Sequence, residues 1–324
     1  MIKKHVTYRK KGIRAISALL LLALACSLAS CADAPTPESG DTVSFTDALG
    51  REVALGARPE RVAALIGSFA DVWTLAGGTL CAAAEDAWQD FGLELEGAVN
   101  IGGAHSPSLE LLVGAEPDLV LASASTASNV DMLDSLESMG ITVAYFDVDT
   151  FEDYLNMLKI CTDITGRADL YEQNGLALQE QIESIKREYA QSNVPDEQRR
   201  VLLLRASSST LKAKGSEGTV LGEMLADMGC VNIADSDTGL LEKLSVEAVM
   251  QKQPYRIFAV TMGSDPQKAT ALLENMIEES DAWSSLDAVR EGRVHVMDKQ
   301  LFNLKPNGRW AQAYEVLYET LIEK

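Results

Sequence analysis

The sequence predicts an α/β protein of two Rossmann-like lobes with mostly parallel sheets, joined by one long α-helix. Three observations carry this. A stretch of fifteen residues occurs twice, short apolar runs alternate with helical patterns on either side, and a single long amphipathic segment separates the two copies.

The repeat is SLELLVGAEPDLVLA, Ser108 to Ala122, followed by SVEAVMQKQPYRIFA, Ser245 to Ala259. Ser108/Ser245, Glu110/Glu247, Pro117/Pro254 and Ala122/Ala259 all match at one offset of 137. Each copy reads as the same unit. The serine caps a helix, the glutamate meets the positive end of the helix dipole in the first turn, and the proline ends the helix before a short buried parallel strand. An acid is thereby presented at the exposed start of a helix in each half, and two α/β lobes follow.

In chain order, Lys3, Lys4, Arg9, Lys10, Lys11 and Arg14 precede an apolar run from Ile16 to Ala29. The run is shorter than the roughly 20 residues of a spanning helix, so residues 1–30 read as an export signal. It ends in Leu28-Ala29-Ser30-Cys31, and residues 31–43, rich in Pro, Ser, Gly and acids, read as a flexible tether. The amino-terminal lobe is assigned to residues 44–165. A turn at Thr46–Arg51 precedes its first strand, Val62 to Ile66, and Gly67–Trp73 is a loop opening into a helix that stops at Gly77-Gly78. Strands follow at Thr79–Ala84, in the first repeat unit and at Val143–Phe146. The linking helix is placed in 166–191. Within it Tyr171, Leu178, Ile182, Ile185 and Tyr189 form an apolar stripe, and Asp169 to Ala190 spans about 33 Å at 1.5 Å per residue. The carboxyl-terminal lobe, 192–324, opens on the strand Val201–Arg205. A helix at Thr219–Asp227, the second repeat unit, a strand at Val294–Met297 and a closing helix at Ala311–Ile322 complete it.

Composition narrows the function classes. Of 28 basic residues six fall in the signal, which leaves 22 against 48 acids and a formal charge of −26 on the mature chain. That surface repels nucleic acid and anionic headgroups. After Cys31 only Cys81, Cys161 and Cys230 remain, compatible with buried small hydrophobes or with a Cys81–Cys161 bridge. The mature chain holds only His105 and His295, too few for a multi-histidine metal site, and His295 alternates with Val294 and Val296 as a histidine on a sheet face. GxSxG, GxGxxG and GxxxxGK[ST] do not occur, so an enzyme is not expected.

The order of these pieces carries a resemblance. The Leu28–Cys31 lipobox, the tether, "DALGRE", "GSFADVW", "NIGGAHSPSLELLVGAEPDLVLA", the long helix, "GEMLADMGCVNIA", "LSVEAV" and "KPNGRW" resemble the substrate-binding lipoproteins of ABC importers for iron complexes, haem and cobalamin. The resemblance implies lipid attachment at Cys31 on the extracytoplasmic face of a bacterial membrane, and a monomer that meets the membrane only through that anchor. It also implies a ligand held between the lobes, and permease docking through Glu110 and Glu247. Sites in open α/β sheets lie at the carboxyl ends of strands. The loops there offer Ser68, Phe69, Trp88, His105 and Ser125 from the first lobe, and Arg205, Ser207, Met262, Lys305, Asn307 and Arg309 from the second. Aromatics and Met262 suit the flat face of a large chelate, and guanidinium suits carboxylate or catecholate oxygen. The expected ligand is an iron chelate of siderophore type that brings its own metal ligands, with no resident cofactor. Haem, ligated by His105 and Met262, or cobalamin is the alternative. An envelope hydrolase relying on His105, or a ligand-sensing lipoprotein docking a receptor, is the rival of another class.

Overall fold

The computed structural model describes residues 42–263 and 265–323. The signal, Cys31 and most of the tether lie outside these. Twelve strands are described: β1 Val43–Thr46, β2 Glu52–Leu55, β3 Val62–Ala64, β4 Leu80–Ala83, β5 Val99–Asn100, β6 Leu119–Ser123, β7 Thr142–Phe146, β8 Arg200–Ala206, β9 Leu211–Lys214, β10 Val231–Asn232, β11 Arg256–Thr261 and β12 Val294–Met297. The longer helices are α1 Gly67–Leu75, α2 Leu109–Gly114, α3 Phe151–Thr165, α4 Ala177–Gln191, α5 Val220–Asp227, α6 Val246–Lys252, α7 Pro266–Glu279 and α8 Trp310–Ile322.

Each lobe has its own sheet. The first runs β5-β4-β3-β6-β7 with every pairing parallel, and the second runs β10-β8-β11-β12, also parallel, with β9 added antiparallel to β8. The earliest strand of each parallel sheet, β3 in the first and β8 in the second, sits between two later ones, so the halves share a winding pattern as well as a sequence unit. The 137-residue offset reappears in the backbone: α2 and α6 start at Leu109 and Val246, and β6 and β11 at Leu119 and Arg256. Ser108 accepts the Leu111 N–H at 3.3 Å and Ser245 the Ala248 N–H at 3.4 Å, as N-caps should. Before each proline the chain leaves the helical region on the left-handed side, with φ 51° at Glu116 and 44° at Gln253.

Alternation along the central strands sorts side chains between layers. Ala63, Val120 and Ala122 face an outer cluster in the first lobe, and Leu202, Leu204, Ile257 and Ala259 an outer cluster in the second. Val62, Ala64, Leu119, Leu121, Val201, Leu203, Phe258 and Val260 all belong to one middle cluster, completed by α1, α3, α5 and α8.

Several expectations need correcting. Val43 is not tether: it begins β1, which pairs with β2 as an antiparallel hairpin around a turn tied by the Asp47 carboxylate, acceptor of the Leu49 and Arg51 N–H groups. The segment Gly67–Trp73 has no loop, because α1 starts at Gly67. A Cβ at Gly67 would stand 2.5 Å from the backbone nitrogen of Ala87, so only glycine admits the short helix Asp86–Gln89 alongside. The linking segment is helical from Ala168 to Gln191 but contains a π turn at Glu172–Leu176. There Gly175 lets the helix approach Leu155 and Leu158 of α3. Among the described residues Cys81, Cys161 and Cys230 are all free thiols, so Cys81 and Cys161 form no bridge. His295, by contrast, is a sheet-face histidine as expected, half-buried against the Phe258 ring of the neighbouring strand, 5.4 Å between centroids.

Candidate functional site

Parallel strands bring their carboxyl ends to one edge of each sheet, and the sequence-predicted residues fall there in two groups. Some are packed away. Phe69 is 1% exposed and meets Phe146 edge-on at 6.0 Å, so it belongs to the core and presents no face to a ligand. Ser68 is buried in the first turn of α1. Asn307 is fully buried at φ 51°, a conformation asparagine tolerates, and its amide donates to the Ser68 carbonyl and to Asp71 Oδ2, both at 2.9 Å. These two are clamps between the carboxyl-terminal segment and α1, and not contact residues.

The others reach open space to differing degrees. His105, Ser125, Met262 and Arg309 are exposed; Trp88, Arg205, Ser207 and Lys305 are part-buried. Ser125 Oγ lies 3.1 Å from Ser123 Oγ, and Ser207 closes a turn with Thr210. Arg309 is held by Gln312 and Gln300 at 2.9 and 3.0 Å. The Met262 N–H bonds the Ala206 carbonyl, which joins the ends of β8 and β11.

Two of the candidates keep a buried polar atom without a partner among the described residues, the Asn307 Oδ1 and a nitrogen of Arg205, and of these only Arg205 is a cation. Its Nε is buried and has no hydrogen-bond partner among the described residues. Burial lowers its pKa from the ordinary guanidinium value, while the charge of Asp149, in the other lobe, acts in the opposite sense. In register it stands opposite Lys212 of β9, and Lys214 is two residues further along that strand. Burial, Arg205 and Lys212 together depress Lys214. An unsatisfied buried N–H costs about 1–3 kcal/mol, so a guanidinium kept this way is poised for an acceptor from outside.

Polar contacts missed by the sequence reading cross between the lobes here. Lys305 Nζ pairs with Asp149 Oδ1 at 2.6 Å, Lys299 Nζ with Asp90 Oδ1 at 2.8 Å, and Gln300 Nε2 donates to the Asp90 carbonyl at 2.9 Å. Beside them is a cavity of about 460 Å³ lined by Asp71, Asp90, Phe91, Gln300, Lys305 and Arg309. Asp71 and Asp86 are both held above the usual carboxylate range by burial, against hydrogen bonds from Asn307 and from the Gly67 N–H respectively. Nothing in the sequence marked Asp71 or Asp86 as part-buried. A larger groove, about 680 Å³, runs along α4 between α3 and α5. It is lined by Glu152, Glu183, Glu223 and Asp227, and its one lysine, Lys186, is taken by Asp227 at 2.8 Å and Glu183 at 3.2 Å. An anion finds no unpaired cation among the residues lining it.

Glu110 and Glu247 are both exposed in the first turn of α2 and α6. Its own backbone N–H and the Ser245 hydroxyl, at 2.8 Å, lower the Glu247 carboxyl. Among the described residues no helix is long and apolar enough to cross a membrane, and no three His, Cys, Asp or Glu side chains gather as for a metal.

Residues 62–301, most of the body described above, match the periplasmic binding protein family. The chain belongs to that family. Its members bind solutes and are not enzymes, in keeping with the lack of catalytic motifs. Among curated relatives, an uncharacterized ABC transporter substrate-binding lipoprotein, YvrC of Bacillus subtilis, is 24% identical over 86% of this chain and 85% of its own. The Fe(3+)-citrate-binding protein YfmC of the same organism is 24% identical over 90% of this chain and 91% of its own. Among solved structures, Staphylococcus aureus SirA complexed with staphyloferrin B superposes with a TM-score of 0.68. It covers 86% of this chain and 98% of its own at 21% identity, a likeness of fold. Two α/β lobes with parallel sheets are therefore the fold both of this chain and of its structural neighbours.

Proposed function

We propose that this chain is the solute-binding component of an ABC importer, tethered outside the cell through a lipid on Cys31, and that it captures an anionic ferric chelate of siderophore type. The observation that carries the choice of ligand is the buried, unpartnered Arg205 Nε at the boundary of the lobes. In a protein of formal charge −20 such a group is costly to maintain unless an anion uses it. Lys305 adds a second cation at the same boundary, and Trp88, His105, Ser125, Ser207, Met262 and Arg309 are the further candidate contacts. The names of YfmC and SirA, an iron–citrate binder and a staphyloferrin binder, support the same class. Glu110 and Glu247 then serve as docking acids toward the permease, one from each lobe.

Haem is the second reading, because His105 and Met262 come from opposite lobes and both are exposed. The deciding experiment is titration of the mature protein with ferric citrate, a ferric tris-catecholate, haem and cobalamin, followed by tryptophan fluorescence and visible absorbance. Saturable binding of an anionic ferric chelate with no haem Soret shift is the expected result. A haem complex lost on changing His105 or Met262 would transfer the assignment to haem.

A further inference from the structure

The ion pair between Lys305 and Asp149 lies within electrostatic reach of the Arg205 guanidinium, which has no ion-pair partner among the described residues. Asp149 follows β7 at the carboxyl edge of the first sheet, just before the N-cap Thr150 of α3, while Lys305 follows β12 on the segment that returns to α1. Their contact is 2.6 Å and both side chains are about three-quarters covered, 21% and 27% exposed. The charge of Asp149 is also felt by Arg205. One carboxylate from the first lobe is thus paired with one cation of the second, Lys305, and acts electrostatically on another, Arg205 near the end of β8. This is the arrangement an anionic ligand group would itself adopt.

Resting on the chelate-binding reading above, we infer that Asp149 is a specificity-determining residue: its carboxylate holds Lys305 in the place that an anionic oxygen of the ligand takes on binding. A ligand entering must displace Asp149 from Lys305 and overcome its repulsion. Only a ligand with enough negative charge to engage both Lys305 and Arg205 regains what that costs, so a neutral chelate of the same size is refused. Asp149 selects by charge without touching the bound ligand. The ammonium is in turn kept partnered in the conformation seen here, which avoids leaving a second half-buried cation unsatisfied.

The test compares the wild type with Asp149→Asn and Lys305→Gln. The probes are ferric citrate and a ferric tris-catecholate as anionic chelates and ferrichrome as a neutral one, at low and high salt. Asp149→Asn is expected to tighten both anionic chelates by about fivefold, the upper range for an ion pair that keeps some contact with solvent, and to leave ferrichrome binding as weak as before. The gain shrinks at high salt. Lys305→Gln weakens the anionic chelates, and adding Asp149→Asn to it regains less than in the wild-type background. Should Asp149→Asn fail to fold, Asp149→Ser removes the same charge. Unchanged or weaker anionic binding in the Asp149 variant, with the wild type still binding, overturns this inference alone. A wild type that takes ferrichrome, haem or cobalamin but neither anionic chelate overturns the ligand assignment beneath it as well.

Discussion

Replacing Arg205 by methionine separates a residue kept for a ligand from one kept for the fold. Methionine retains most of the aliphatic stem and its packing but removes the guanidinium. The buried Nε has no partner among the described residues, and leaving such a group unpaired costs about 1–3 kcal/mol. Because the residue as a whole is only part-buried, the low end applies. Arg205→Met should therefore stabilise the unliganded protein by about 1 kcal/mol, a rise in melting temperature of roughly 2–4 °C for a body of this size. The same change deletes charge-assisted hydrogen bonds to an anionic ligand, worth about 1.5–3 kcal/mol, so affinity falls by roughly 10- to 150-fold. Stability and affinity move in opposite directions. Thermal melts of the apoprotein and fluorescence titrations with ferric citrate read the two quantities separately. A variant that melts lower than wild type while binding the chelate equally well would refute the reasoning, since Arg205 would then be a structural residue.

Changing Glu110 and Glu247 together to alanine should leave chelate affinity unchanged and lower uptake in cells, each lost ion pair removing about 0.2–1 kcal/mol of docking energy; equal loss of affinity and uptake would dismiss the docking role. Asn307→Ala loses two donated hydrogen bonds and puts alanine, which tolerates the left-handed region less well than asparagine, at φ 51°, so urea unfolding should show a loss of about 2–4 kcal/mol. Asn307→Gly, which accepts φ 51°, should lose less. Burial raises the carboxyl of Asp71 in the folded chain above the ordinary value of about 3.9. Stability from this group is therefore present below that pH and lost as pH rises through the folded value. Asp71→Asn should flatten that decline and stabilise the protein at neutral pH, as read from unfolding curves between pH 4 and 7.

Much of the architecture was legible because it rests on local rules. The Ser-x-Glu start, the proline stop and the apolar run of each repeat unit are short-range signals, and the offset of 137 survived into helix starts, strand starts and the left-handed residues before Pro117 and Pro254. Other elements were legible but unread: Asp265-Pro266, an N-cap with proline at the first position, announces α7, and the alternation in VSFT and EVAL announces the β1–β2 hairpin. The π turn before α4 was not legible, since it depends on Gly175 nesting against Leu155 and Leu158 some twenty residues away. The site divided similarly. Sequence position placed Arg205 and Lys305 at strand ends, but exposure is settled by packing, which is why Phe69 and Asn307 turned inward. Asp149 was passed over because an acid before a helix is ordinary until its partner across the boundary is known.

The middle apolar cluster has a consequence for separability. Its side chains come from both sheets and from α1, α3, α5 and α8, so neither half possesses a finished interior of its own. A chain cut before α4 would leave each fragment with a greasy flank open to water, prone to clump instead of folding. Melting should accordingly be one cooperative event for the whole body, with no plateau at which one half has dissolved while the other persists.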